Sequence, residues 1–127
     1  MKPGDVIPSF TWEVTRAQIN AYAQASGDRN PIHLDDDVAR SVGLPGVIAH
    51  GMLGMAQLAN AVVAFAGDHR GLRRIRCRFA GMVFPGDTVT FGGVVSKLEG
   101  GVATLELKAE NQRGERVLSR ASAELTV

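Results

Sequence analysis

Cysteine is nearly absent from this chain. Cys77 is the single one, so no internal disulfide can form, which fits a reducing compartment. Charge of one sign is equally scarce: 14 Lys and Arg against 13 Asp and Glu leave a formal net charge of +1, which supplies no general attraction to nucleic acid or to an anionic membrane surface. A bilayer crossing requires roughly 20 apolar residues, and the longest such run, Met52 to Ala66, is broken by Gln57 and Asn60. The start, Met1-Lys2-Pro3-Gly4-Asp5, lacks the basic-then-apolar run of a signal peptide. The expectation is a cytoplasmic protein with neither nucleic acid nor membrane as partner. No glycine fingerprint for phosphates occurs. No metal site is expected either: the three His lie on different elements, Cys77 has no mate, and Asp35 to Asp37 lack the glycine and closing Glu of a calcium loop.

What is present is an ordinary globular balance, 45% apolar and 21% charged over 127 residues, enough for one domain spanning 1–127 with a single core. Residues 4–14 alternate apolar and polar at Phe10, Trp12 and Val14 after Pro8, which reads as a first or edge strand. Thr15 with Gln18 predicts a capping box, then a helix with Ile19, Tyr22, Ala23 and Ser26 on one stripe, ended by Gly27. Asp28 to Pro31 is turn chemistry, with the Pro restraining Asn30 to an extended turn. Carboxylates at Asp35 to Asp37 favour a short helix through Ser41, which Gly43-Leu44-Pro45-Gly46 breaks. The long segment Gly51 to Ala66 is apolar nearly all round and must be enclosed by a sheet or by a partner subunit.

Beyond Gly71 the period changes. Ile75, Cys77 and Phe79 alternate with Arg74, Arg76 and Arg78; Val83 to Gly86 turns; Asp87 to Lys97 alternates; Gly100-Gly101 signals a hairpin; Val102 to Glu110 and Arg116 to Val127 alternate again. One strand, helices, then about four strands joined by short turns predict an α+β fold, an antiparallel sheet packed on one face by helix.

Three features carry candidate chemistry. Asp28 and His33 stand five positions apart in a turn that a Pro rigidifies; an imidazole titrating near neutrality can serve as general base while a carboxylate orients water or trades a proton. A helix beginning at Gly51 would present unpaired N–H groups and the positive end of its dipole to a developing oxyanion, and Gly lets a ligand approach the backbone. Alternatively that helix start is capped by a neighbouring side chain, His50 being a capping or supporting residue. Arg74, Arg76 and Arg78 share one face of a strand, either as a solvated surface or as a row that holds phosphates or an acidic carrier protein.

The order Tyr22-Ala23-x-Ala25-Ser26-Gly27-Asp28-x-Asn30-Pro31-Ile32-His33-x-Asp35, then Ala39, Gly43 and Ile48-Ala49-His50-Gly51-Met52, resembles the hydratase motif of the MaoC-like family, which contains R-specific enoyl-CoA hydratases and (3R)-hydroxyacyl-thioester dehydratases. Gly4-Asp5-x-x-Pro8, Arg78-Phe79 and Pro85-Gly86-Asp87 agree with it. Asp35-Asp36, Val42-Gly43-Leu44 and Met52-Leu53-x-Met55 are similar to the catalytic subunit of the two-chain dehydratases of mycobacteria. The resemblance implies a hot-dog fold, a curved antiparallel sheet wrapped around one long helix, here Gly51 to Ala66. It implies Asp28 and His33 as the catalytic dyad, the Gly51 N–H as oxyanion donor, and Asn30, Ser26 and His50 as supporting residues. No cofactor is implied beyond the carrier, CoA or acyl carrier protein, of a thioester substrate. Dimers are implied, with a second copy or with a related chain lacking the dyad, and hydrolysis of an acyl-CoA on the same fold is the competing activity. One departure stands out: Ala59 occupies a helix position where some short hydratases carry Ser.

Overall fold

The computed structural model describes residues 1–127. The alternation after Pro8 forms strand β1 (Val6–Glu13), with Trp12 buried and Val14 buried just beyond it. Thr15 caps helix α1 (Arg16–Ser26), its side chain accepting the N–H of Gln18. Only half of the expected capping box forms, because the Gln18 side chain turns away and its Oε1 accepts the indole N–H of Trp12 at 2.8 Å. A buried indole N–H needs an acceptor, and that need outweighs the return bond to Thr15. Gly27 ends the helix at φ 80°, its N–H on the carbonyl of Ala23, a left-handed conformation that side chains resist.

Helix α2 (Asp36–Ser41) is capped by Asp35, whose carboxylate accepts the N–H groups of Asp37 and Val38. The long helix α3 runs Gly51–Ala66, with the bounds expected from its apolar run. Strands β2 (Leu72–Phe79), β3 (Thr88–Glu99), β4 (Val102–Glu110) and β5 (Arg116–Thr126) follow. The sheet is antiparallel throughout, in the order β1-β3-β4-β5-β2. Strand β2 thus pairs with β5 at the far edge, and the connection from Ala80 to Asp87 crosses the end of the sheet to reach β3.

The core lies between α3 and the concave sheet face. Leu53, Leu58 and Ala61 pack with Trp12, Val89, Phe91, Val117 and Leu118 in one cluster, and Val62 joins Ile7, Val95, Leu105 and Leu125 in a second. Each large side chain fully buried there, such as Phe91 or Leu58, contributes on the order of 1.5–3 kcal/mol. Enclosure of α3 is one-sided in the single chain. Met52, Ala56, Asn60 and Ala64, spaced four apart on one stripe, are exposed.

Candidate active site

The loop after α1 is built from side chains that bond their own backbone. Ser26 Oγ accepts the N–H of Asp28 at 3.1 Å, Asp28 Oδ1 accepts that of Asn30 at 3.3 Å, and Asn30 Oδ1 accepts that of Ile32 at 3.2 Å. These are the local bonds that Asp, Asn and Ser offer in place of a helix. The expected extended turn is corrected beyond Asn30: Pro31 opens a one-turn 3-10 helix, Pro31–His33. A proline is suited to a first helical position, where its missing N–H has no partner to lose. Asp28 is exposed and His33 is buried.

The segment before α3 is laced to this turn. The N–H of Ile48 donates to the carbonyl of Ile32 at 3.2 Å, and that of Ala49 to the carbonyl of Val83 at 2.8 Å. In return, His33 Nδ1 lies 2.7 Å from the carbonyl oxygen of Ile48. A carbonyl only accepts, so Nδ1 carries the proton and the lone pair of Nε2 is left available. By the same reasoning His50 donates from Nε2 to the backbone carbonyl of Asp28, at 2.9 Å. The two imidazoles stack, centroids 3.8 Å apart and planes 24° apart, and Tyr22 packs at a tilt on His50 with centroids at 4.8 Å.

The reading of the three histidines as scattered is therefore corrected. His33 and His50 meet, and one nitrogen of each lies within 4.8 Å of a carboxylate oxygen of Asp28, as of each other. Only His69 stands apart, exposed beside Asp68. Such a donor set invites a cation in principle. However, two imidazole ligands of one ion must aim their lone pairs at a common point, and here one ring lies over the other. The arrangement suits proton transfer better.

Gly51 opens α3. His50 is its N-cap residue and makes no side-chain cap bond, so capping by a neighbouring side chain is not what this helix start uses. The N–H groups of Gly51 and Met52 have no acceptor in the chain, whereas those of Leu53 and Gly54 donate to the carbonyl of His50. A cavity of about 450 Å³ adjoins them, lined by His50, Gly51, Gly54 and Phe79 and walled by Trp12, Val83, Val89, Phe91, Val117 and Leu118, among others. Sequence reasoning missed these walls, although the alternation of the strands placed most of them on the helix-facing side.

Arg74, Arg76 and Arg78 are all exposed on the edge strand, and none of them lines the cavity. Arg74 lies 3.9 Å from Glu124. Cys77 faces the core, and burial pushes its thiol up. Ala59 is half-buried away from the cavity, and Asn60 is exposed, bonded to Gln57. Also unforeseen was a polar cluster around the buried Asp87 at the end of the cavity loop. Asp87 accepts from the N–H of Phe84, from Gln112 Nε2 and from Arg113 Nη1. No helix is long and apolar enough to cross a membrane.

Comparison with known proteins matches residues 4–115 to the family described as MaoC like domain. The chain is 35% identical over 101 residues to the fatty acid synthase beta subunit TOXC of Cochliobolus carbonum, covering 77% of this chain and 5% of that one. It is 43% identical over 65 residues to 3-hydroxyacyl-thioester dehydratase X of Mycobacterium tuberculosis, covering 50% of this chain and 23% of that one. The chain thus spans only a small part of these curated relatives. Among solved structures, an (R)-hydratase from A. caviae involved in PHA biosynthesis superposes with TM-score 0.90 at 25% identity, covering 100% of this chain and 97% of that one. One chain of the ChsH1-ChsH2 complex from Mycobacterium tuberculosis does so with TM-score 0.88 at 25% identity, covering 98% of this chain and 97% of that one.

Proposed function

The chain belongs to the MaoC-like domain family, and from that premise we propose that it is a hydro-lyase that reversibly hydrates trans-2-enoyl thioesters to (3R)-hydroxyacyl thioesters. One observation carries the reading. The Asp28 carboxylate and the His33 ring stand together against His50, and His50 and the next residue, Gly51 with its unpaired N–H, line an apolar cavity. A general base, a proton donor, an oxyanion donor and room for an acyl chain are what this addition requires.

In the proposed reaction a water sits between Asp28 and His33. His33 Nε2 takes its proton as the oxygen bonds to C3; the C2–C3 π electrons move toward the carbonyl, and the Gly51 N–H receives the charge that grows on the thioester oxygen. Return of the electrons to C2 takes up a proton from the Asp28 side, where Asp28 relays through water the proton that His33 removed, so that both groups end as they began. Dehydration uses the same groups in reverse. Ser26 and Asn30 brace the Asp28 loop through the bonds described. No cofactor enters beyond the carrier of the acyl group, CoA or acyl carrier protein, and the arginine row of β2 is the surface offered to that carrier.

The working unit in this reading is a dimer, with a second copy or with a related hot-dog chain. The exposed stripe of α3 and the edge of β2 leave surface and backbone hydrogen-bonding groups open in the single chain. A two-chain complex also stands among the similar structures. The test is loss of the ultraviolet absorbance of an enoyl thioester, offered on CoA and on acyl carrier protein, with the chain alone and beside candidate partner chains. Asp28→Asn and His33→Gln should each lower turnover by roughly 10²–10⁴-fold. Release of free thiol instead would establish a thioesterase and sink the hydratase reading.

A further inference from the structure

His50 is 3% exposed, and its Nδ1 is buried with no hydrogen-bond partner. Unpaired buried acceptors are rare enough in folded proteins to need an explanation. Here the rest of the ring supplies one. Its Nε2–H is committed to the carbonyl of Asp28, and its face is committed to His33.

We propose that His50 is the positioning residue that fixes Asp28 and His33 relative to the N-terminus of α3, through two separable contacts: the N–H to the Asp28 carbonyl and the stack on the His33 ring. The proposal rests on the hydratase reading of the site. His50 directly precedes Gly51, so the residue that presents the oxyanion N–H is joined by one peptide bond to the one that holds both proton-transfer groups. Asp28 belongs to the exposed loop after α1, which reaches α3 through the His50 bond to its carbonyl. His33 is clamped from two sides, by the Ile48 carbonyl at Nδ1 and by the His50 face.

The residue type follows from the two contacts. Phe would supply the face and leave the Asp28 carbonyl unpaired; Gln would supply a donor and no face. Imidazole does both in its neutral Nε2–H form, and the unpaired Nδ1 is the consequence. The one N–H of His50 is held by the Asp28 carbonyl, which separates its role from that of His33.

The experiment compares His50→Phe and His50→Gln with the wild type in the active assembly, reading kcat, KM and Tm, and records the nitrogen-15 signatures of the imidazoles by NMR. Both variants should lose roughly tenfold or more in kcat, the scale set by small misplacements of reacting groups, with KM little changed. The wild type should show His33 as the Nδ1–H tautomer and His50 as the Nε2–H tautomer, and in His50→Gln the His33 signature should become averaged. The proposal is overturned by variants that lower Tm yet keep wild-type kcat and an unchanged His33 signature, or by a wild type with His50 in the other tautomer. If neither variant folds, the wild-type tautomers decide. If the wild type hydrates no thioester with any partner, the functional reading fails while the NMR signatures still judge the clamp.

Discussion

The ring of Phe79 lies against Gly51 so closely that a Cβ built on residue 51 would come within 3.2 Å of three ring atoms. Phe79 is 56% exposed, so its ring can swing into solvent while the backbone of α3 stays in place. Gly51→Ala should therefore leave Tm nearly unchanged and displace the ring across the mouth of the cavity that both residues line. In the hydratase reading, kcat/KM falls roughly tenfold or more, because approach to an oxyanion donor is impeded. Combining it with Phe79→Ala should recover part of that loss, and a double-mutant cycle measures how much.

Gly54 lies one turn further along α3. It lines the cavity, and an added Cβ there meets only the Trp12 ring, at 3.9 Å. Gly54→Ala should stabilise the helix by up to about 1 kcal/mol, read as a rise in Tm. In the hydratase reading, Gly54→Leu should narrow the cavity and cut turnover of long-chain thioesters more than of short ones, a ratio read from parallel assays.

The turns, the hairpin at Gly100-Gly101 and both ends of α3 were legible because each rests on local chemistry: a capping side chain, a glycine, a run of apolar residues. The Asp28, His33 and Gly51 grouping was legible as a motif order. Its geometry was not. The His33–His50 stack depends on the bond from the Ile48 N–H to the Ile32 carbonyl, sixteen positions apart, and no periodicity encodes it. Nor does alternation reveal that β2 pairs with β5 instead of β3. That crossing brings Phe79 to Met82 over the start of α3 and closes the cavity. Of the small residues on the helix, Gly54 faces the cavity while Ala56 is exposed and Ala59 lies off it, a division visible only once the sheet is in place.

At Gly93 strand β3 lies so near β4 that an added Cβ would collide with the carbonyl oxygen of Glu106. Backbone cannot yield as an exposed side chain does. Gly93→Ala should cost roughly 2–4 kcal/mol, in the upper range for single substitutions, and lower the denaturation midpoint accordingly. A Gly92→Ala control, where the nearest atom is a Lys108 methylene carbon at 3.6 Å, should cost far less.

Asp87 ties the cavity loop to the β4–β5 turn, and its titration makes that tie depend on pH. Burial pushes its carboxyl up, but the bonds from Gln112, the Phe84 N–H and Arg113 outweigh this and hold it below the ordinary carboxylate range. A carboxyl whose folded value is depressed contributes stability above its unfolded value, about 4, and loses that contribution as pH falls through the lower folded value. The wild type should hold its Tm as far as Asp87 is concerned down to about pH 5 and then fall. Asp87→Asn removes the charge and turns an amide N–H toward groups that are themselves donors, a loss of about 1–3 kcal/mol for a buried bonded group. Its Tm should lie below wild type at pH 7, with the gap narrowing steadily below about pH 5. A gap that persists unchanged into acid would mean that the charge of Asp87 contributes nothing to holding the loop.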